Sequence, residues 1–173
     1  REREDIEGSQ RFYRQVLAQD PTIVEAEQHL GLFALMEGDQ AAAEQYFQHA
    51  LALAPDFVLP RTALASLRIQ QGKLDDARQL LIPLADRTNF RATEFGSYLF
   101  TTAELAAADN DPARARGQLR LLLGYLPGYT PARLRLRELE QQEAERKQPQ
   151  AQPQPGMSPL LQSPGGISLL GPR

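Results

Sequence analysis

The chain has no cysteine. A disulfide framework, a thiolate metal site and a thiol nucleophile are therefore excluded. It also lacks a long apolar run: none approaches the roughly 18–20 residues that cross a bilayer. Histidine is scarce, limited to His29 and His49. They fall on different helices of one repeat, so both are expected as partly exposed helix residues and no metal is expected. No Gly-rich loop joins a strand to a helix to cradle phosphate. Glu138, Glu140, Glu143 and Glu145 share one polar helix and lack the enclosing apolar site that carboxylate acid–base chemistry needs. No catalytic residue and no cofactor are expected. The net charge of −3 argues against a general nucleic-acid binder.

What the chain does have is a period. Leu30, Gly31, Ala34, Gly38, Ala43, Phe47, Ala50 and Pro55 are followed 34 residues later by Leu64, Ala65, Arg68, Gly72, Ala77, Leu81 and Leu84. A third copy runs through Asn110, Ala115, Leu119, Leu122 and Pro127. A fixed period of this length means one helical unit stacked on copies of itself. The predicted fold is therefore all-α: a solenoid of antiparallel helix pairs, about three repeats with half-repeat helices at both ends. Pro21 lies 34 residues before Pro55, so residues 1–21 read as the lone second helix of an incomplete unit, roughly Asp5 to Gln19. Tyr13 and Val16 stand there where Phe47 and Ala50 stand one repeat on. Such a helix lacks the partner that covers its apolar face, and the polypeptide is expected to continue upstream of Arg1. Residues 22–147 form the repeats and a capping helix, and 148–173 a tail.

Each unit carries its own punctuation. Gly38 and Gly72 end first helices, where a residue without Cβ takes the left-handed conformation. Asp39 caps the next helix by accepting free amide hydrogens. Ala42, Ala43, Tyr46, Phe47, Ala50 and Leu53 form the expected buried stripe of the first repeat's second helix. Pro83 should kink or shorten the second repeat's second helix. The third unit starts four residues late, and Asp86 to Arg91 should absorb that insertion. Asp111–Pro112 is a cap followed by proline at the first helical position. Thr130–Pro131 repeats the device and opens a polar last helix to about Lys147, the solvating cap a solenoid needs.

These residues resemble the tetratricopeptide repeat family over about Asp5 to Lys147. Leu30, Gly31, Ala43, Phe47, Ala50 and Pro55 match its pattern, with Glu27 and Ala34 at two positions that are aromatic in the family. The second repeat departs further, with Arg61 and Arg68 at those places and Asn89 for the proline. The resemblance implies a right-handed superhelix with a concave groove lined by first helices. It also implies a role in holding peptides, helices or proteins within larger assemblies. The implied lining is Gln28, Leu32 and Leu35, then Thr62, Ser66 and Ile69, then Phe100, Glu104 and Ala107. The Lys, Asn and Arg with which some members clamp a C-terminal carboxylate are absent from these positions, which argues against a carboxylate-clamp adaptor. An apolar helix or an extended apolar segment suits this lining instead. The plainer alternative is that Leu32, Leu35 and Ile69 pack between neighbouring first helices.

Charge is unevenly spread. Between Gln19 and Pro60 there are seven acidic residues and no Lys or Arg. Between Pro112 and Arg137 there are Arg114, Arg116, Arg120, Arg133, Arg135 and Arg137 and no acid. That predicts a negative first half and a positive far end, either an oriented dock or a solvated surface with compositional drift. Beyond Gln148 the chain is rich in Pro, Gln and Gly. It cannot bury enough surface to fold alone, and is expected to be disordered or docked. Leu160–Leu161 and Leu169–Leu170 each follow a serine and precede a proline, like short docking motifs or self-association contacts. The expected function is a non-enzymatic scaffold or adaptor for protein partners. The alternative is a regulatory or substrate-presenting domain of a larger, membrane-anchored enzyme of a bacterial envelope.

Overall fold

A computed structural model describes residues 2–147. Among them the secondary structure is helical throughout: α1 (Glu2–Gln19), α2 (Val24–Met36), α3 (Gln40–Leu53), α4 (Val58–Gln70), α5 (Leu74–Leu81), a 3-10 turn (Ile82–Leu84), α6 (Ala92–Ala108), α7 (Pro112–Tyr125) and α8 (Thr130–Lys147). The pairs α2/α3, α4/α5 and α6/α7 pack most closely, and α1 and α8 stack on the two ends. This is the expected α-solenoid. Arg1 and the tail, with Leu160, Leu161, Leu169 and Leu170, lie outside the described residues.

Local chemistry explains the turns. Gly38 (φ 81°), Gly72 (φ 73°) and Asn110 (φ 61°) occupy the same repeat position, each in the left-handed region after a first helix. Asparagine tolerates that region better than other side chains, so it substitutes for glycine there. The Asp39 carboxylate accepts from the Ala42 amide at 2.9 Å, and Asp111 accepts from Arg114 at 3.0 Å. Thr130 departs from expectation: its hydroxyl lies near the Gly128 carbonyl and accepts from Arg133 instead of capping α8. Pro83 acts as expected. Helix α5 stops at Leu81 and passes into the 3-10 turn, because proline cannot continue the hydrogen-bond ladder.

The core repeats with the sequence. Ala43, Phe47 and Ala50 of α3 are buried, as are Ala77, Leu81 and Leu84, then Ala115, Leu119 and Leu122. Phe47 is 0% exposed and seats against Gly31, where a Cβ would overlap its ring. The stripe is narrower than expected, because Ala42 and Tyr46 are only half-buried and Leu53 is exposed.

A polar rung joins each pair of neighbouring units at one recurring position. Gln10 donates to Glu37 at 2.6 Å across α1/α2. Arg68 donates to Glu44 at 2.8 Å across α3/α4, and to Gln71 at the end of its own helix at 3.0 Å. Arg78 pairs with Asp109 across α5/α6, and Arg116 with Glu143 (2.9 Å) across α7/α8. Gln10, Glu44, Arg78 and Arg116 share one place in the repeat, and the period absorbs the four-residue insertion between the last two.

Candidate functional site

The surface that family resemblance assigns to partners lies on the first helices, α2, α4 and α6. Its nine expected residues do not all reach solvent. Leu32 is 41% exposed on α2. Leu35, Ser66, Ile69, Phe100, Glu104 and Ala107 are half-buried. Gln28 and Thr62 are buried and withdrawn from any partner.

The burial has a specific cause. The Thr62 hydroxyl donates to the Leu59 carbonyl (3.0 Å) and shares a 2.6 Å hydrogen bond with Ser97. One turn along, Ser66 faces Thr101 at 3.4 Å. Small hydroxyl side chains let α4 and α6 approach closely and satisfy each other, as buried polar groups must. Ile69 and Leu35 rest on core clusters, and Phe100 packs at 5.7 Å on Tyr129. Burial there pushes the Tyr129 hydroxyl above its ordinary pKa.

Two lining residues were not foreseen. Met36 is 67% exposed, one turn beyond Leu32 on α2, and Leu134 is exposed on α8. The period held the signal for Leu134, which lies 34 residues past Phe100. The exposed apolar surface is thus concentrated on α2, and the middle of the face is weakly polar.

The arginine-rich end is largely compensated. Arg116 pairs with Glu143, Arg120 with Glu140 (2.6 Å), and Arg135 with Glu104 (2.8 Å) and Glu138 (3.0 Å). Arg114, Arg133 and Arg137 have no carboxylate partner among the described residues. The expected positive end is therefore a lattice of ion pairs with three surplus cations. At the other end, hydrogen bonding to Arg68 holds the Glu44 carboxyl below its ordinary pKa.

Both histidines are structural. His49 bonds through Nδ1 to the carboxylate of Glu27 at 2.6 Å, with Glu27 buried where the family places an aromatic. His29 stacks on Tyr13 at 4.5 Å. The His49 partner comes from another helix, so spacing along its own helix gave no sign of it. No cluster of His, Asp or Glu among the described residues is arranged to hold a metal ion, and no helix there is long and apolar enough to cross a membrane.

The tetratricopeptide repeat family model matches residues 34–93, from the end of α2 to the start of α6. Over those residues the chain matches the tetratricopeptide repeat pattern. A solved structure, from the functional characterization of Pseudomonas aeruginosa pilF, superposes on it with a TM-score of 0.66 at 18% identity. The overlap covers 83% of this chain and 64% of that one, so the chain spans less than two thirds of that structure's length. At this identity the likeness shows the shared fold. No curated protein matches the sequence. Tetratricopeptide folds are, as a class, scaffolds for protein–protein interaction, and generally non-catalytic ones.

Proposed function

We propose that this chain holds a protein partner, an apolar helix or an extended apolar segment, along its first-helix face. The observation that carries this is the pair Leu32 and Met36. They stand one helical turn apart on α2, 41% and 67% exposed, whereas Leu35, Ile69 and Phe100 of the same face are half-buried. Two large apolar side chains one turn apart suit an apolar anchor on the partner, and the half-buried Ser66, Ile69 and Glu104 then fix its course. Gln28 and Thr62 take no part. Of the arginines, Arg114, Arg133 and Arg137 have charge left for a partner's acidic groups.

The test is comparative capture by the full chain. Leu32→Glu/Met36→Glu should abolish recovery of the partner. Leu53→Glu/Leu121→Glu, which charges exposed apolar residues on second helices, should leave recovery unchanged. Equal loss in both variants would mean general apolar stickiness, and no loss in the first would remove the groove as the site.

A further inference from the structure

The four-residue insertion between the second and third repeats does more than lengthen a loop. It opens a cavity of about 440 Å³ between residues 85–91, the start of α6 and the end of α7. Phe90, Phe95, Tyr125 and Leu126 line it, with Arg87 and Thr88 among the walls. Its rings are ordered by one another. Phe90 stacks on Tyr98 at 5.4 Å, and Phe95 meets Tyr125 edge-on at 5.3 Å. Arg87 lies over Phe90 at 5.5 Å and donates to the Asp56 carbonyl at 2.9 Å, which ties the loop to the preceding unit. The site is thus preformed, and Tyr125 is still 64% exposed. An aromatic-lined groove held in place is the usual acceptor for proline-rich extended segments, which enter with little ordering cost.

We infer that the chain's own tail fills this cavity, with Leu160–Leu161 and the flanking Pro159 seated on Phe95, Tyr125 and Leu126. The chemistry matches: from Met157 to Pro172 the sequence has no charge, and each leucine pair is followed by proline within four residues. The reach matches as well. Helix α8 starts at Thr130, four residues past Leu126, and ends at Lys147. Returning along it means covering roughly 27 Å. The residues from Lys147 to Leu160 span up to roughly 43 Å when extended. The first leucine pair therefore arrives with slack. A partner that recognises this pair must first displace it from the solenoid.

Because the chain has no cysteine, Gln162→Cys places a single nitroxide label beside the leucine pair in the 173-residue chain. Amide NMR signals of Phe95, Tyr125 and Leu126 should be lost, and those of Phe12 and Phe47 retained. Adding Leu160→Asp/Leu161→Asp to the labelled chain should restore them. Unchanged signals at Tyr125 overturn the inference, as does broadening that survives the aspartate substitutions. Broadening in a mixture of labelled unenriched chain and unlabelled enriched chain would overturn it too, because the occupant would then be a second copy.

Discussion

The two ends of this solenoid are finished differently. At the C-terminal end, Leu119, Ala132 and Leu139 close a core, and the outward face of α8 carries Arg133, Arg137, Glu140 and Gln141. Arg137 occupies the repeat position of Gly31, so an exposed charged side chain stands where the first repeat has the glycine that Phe47 packs on. At the N-terminal end, α1 keeps the chemistry of an interior second helix. Ser9, Tyr13 and Val16 stand at the positions of Ala43, Phe47 and Ala50, yet they are only half-buried, and Phe12 is 58% exposed. Tyr13 instead stacks sideways on His29. One repeat pattern therefore yields a closed end or an open end according to a few residues: a charge at the glycine position closes it, and small residues beside an aromatic leave it open.

The comparison is sharpened most by one repeat position tested twice. Phe47→Ala should cost about 3–5 kcal/mol, the range for a fully buried aromatic. Tyr13→Ala, its counterpart in α1, should cost about 1 kcal/mol, in keeping with a ring that has lost only part of its solvent contact. Denaturant unfolding of the two variants measures both, and equal losses would mean that α1 is packed like an interior helix.

The closed end should behave as core. Leu139→Ala should cost about 2–5 kcal/mol. Amide exchange should be slow around Leu139 and fast in α1, since protection follows local packing. Equal exchange rates in α1 and α8 would erase the distinction between the ends.

Acid should act on the rungs. Hydrogen bonding to Arg68 lowers the Glu44 pKa, and hydrogen bonding to Lys147 lowers that of Glu143. A carboxyl depressed in the folded state contributes its stability above the unfolded pKa and loses it as pH falls through the folded value. Stability should therefore decline below the ordinary glutamate range, and Glu44→Gln should flatten that decline. A pH profile of unfolding midpoints for the two proteins decides it. The smallest effect is expected for Phe12→Ser, within about 0.5 kcal/mol, because the ring is already in water. The same variant should reduce binding of an apolar dye, and unchanged dye binding would place the open apolar surface elsewhere.

Much of the fold was legible because its signals are local. Gly38, Gly72 and Asn110 mark turns by backbone conformation, Asp39 and Asp111 cap helices within one turn, and Pro83 stops α5 by chemistry that needs no neighbour. The site was legible in part. Leu32 lies on the surface as the repeat register implies, but the same register placed Thr62 there, and Ser97 buries it from another unit. The Glu27–His49 pair and the arginine–glutamate pairs of α7 and α8 join residues at least 20 apart. No helical spacing reports such pairs, though recurrence of a polar residue at Gln10, Glu44, Arg78 and Arg116 was a usable sign of the rungs.

The sequence by itself determined the helix pairs, their order and the period that stacks them, because periodicity and turn chemistry act within a few residues. Only the tertiary structure decided which lining residues meet solvent, which arginines keep their charge for a partner, and where an insertion becomes a cavity. Those outcomes depend on what the next unit places opposite each side chain, and that is a property of packing.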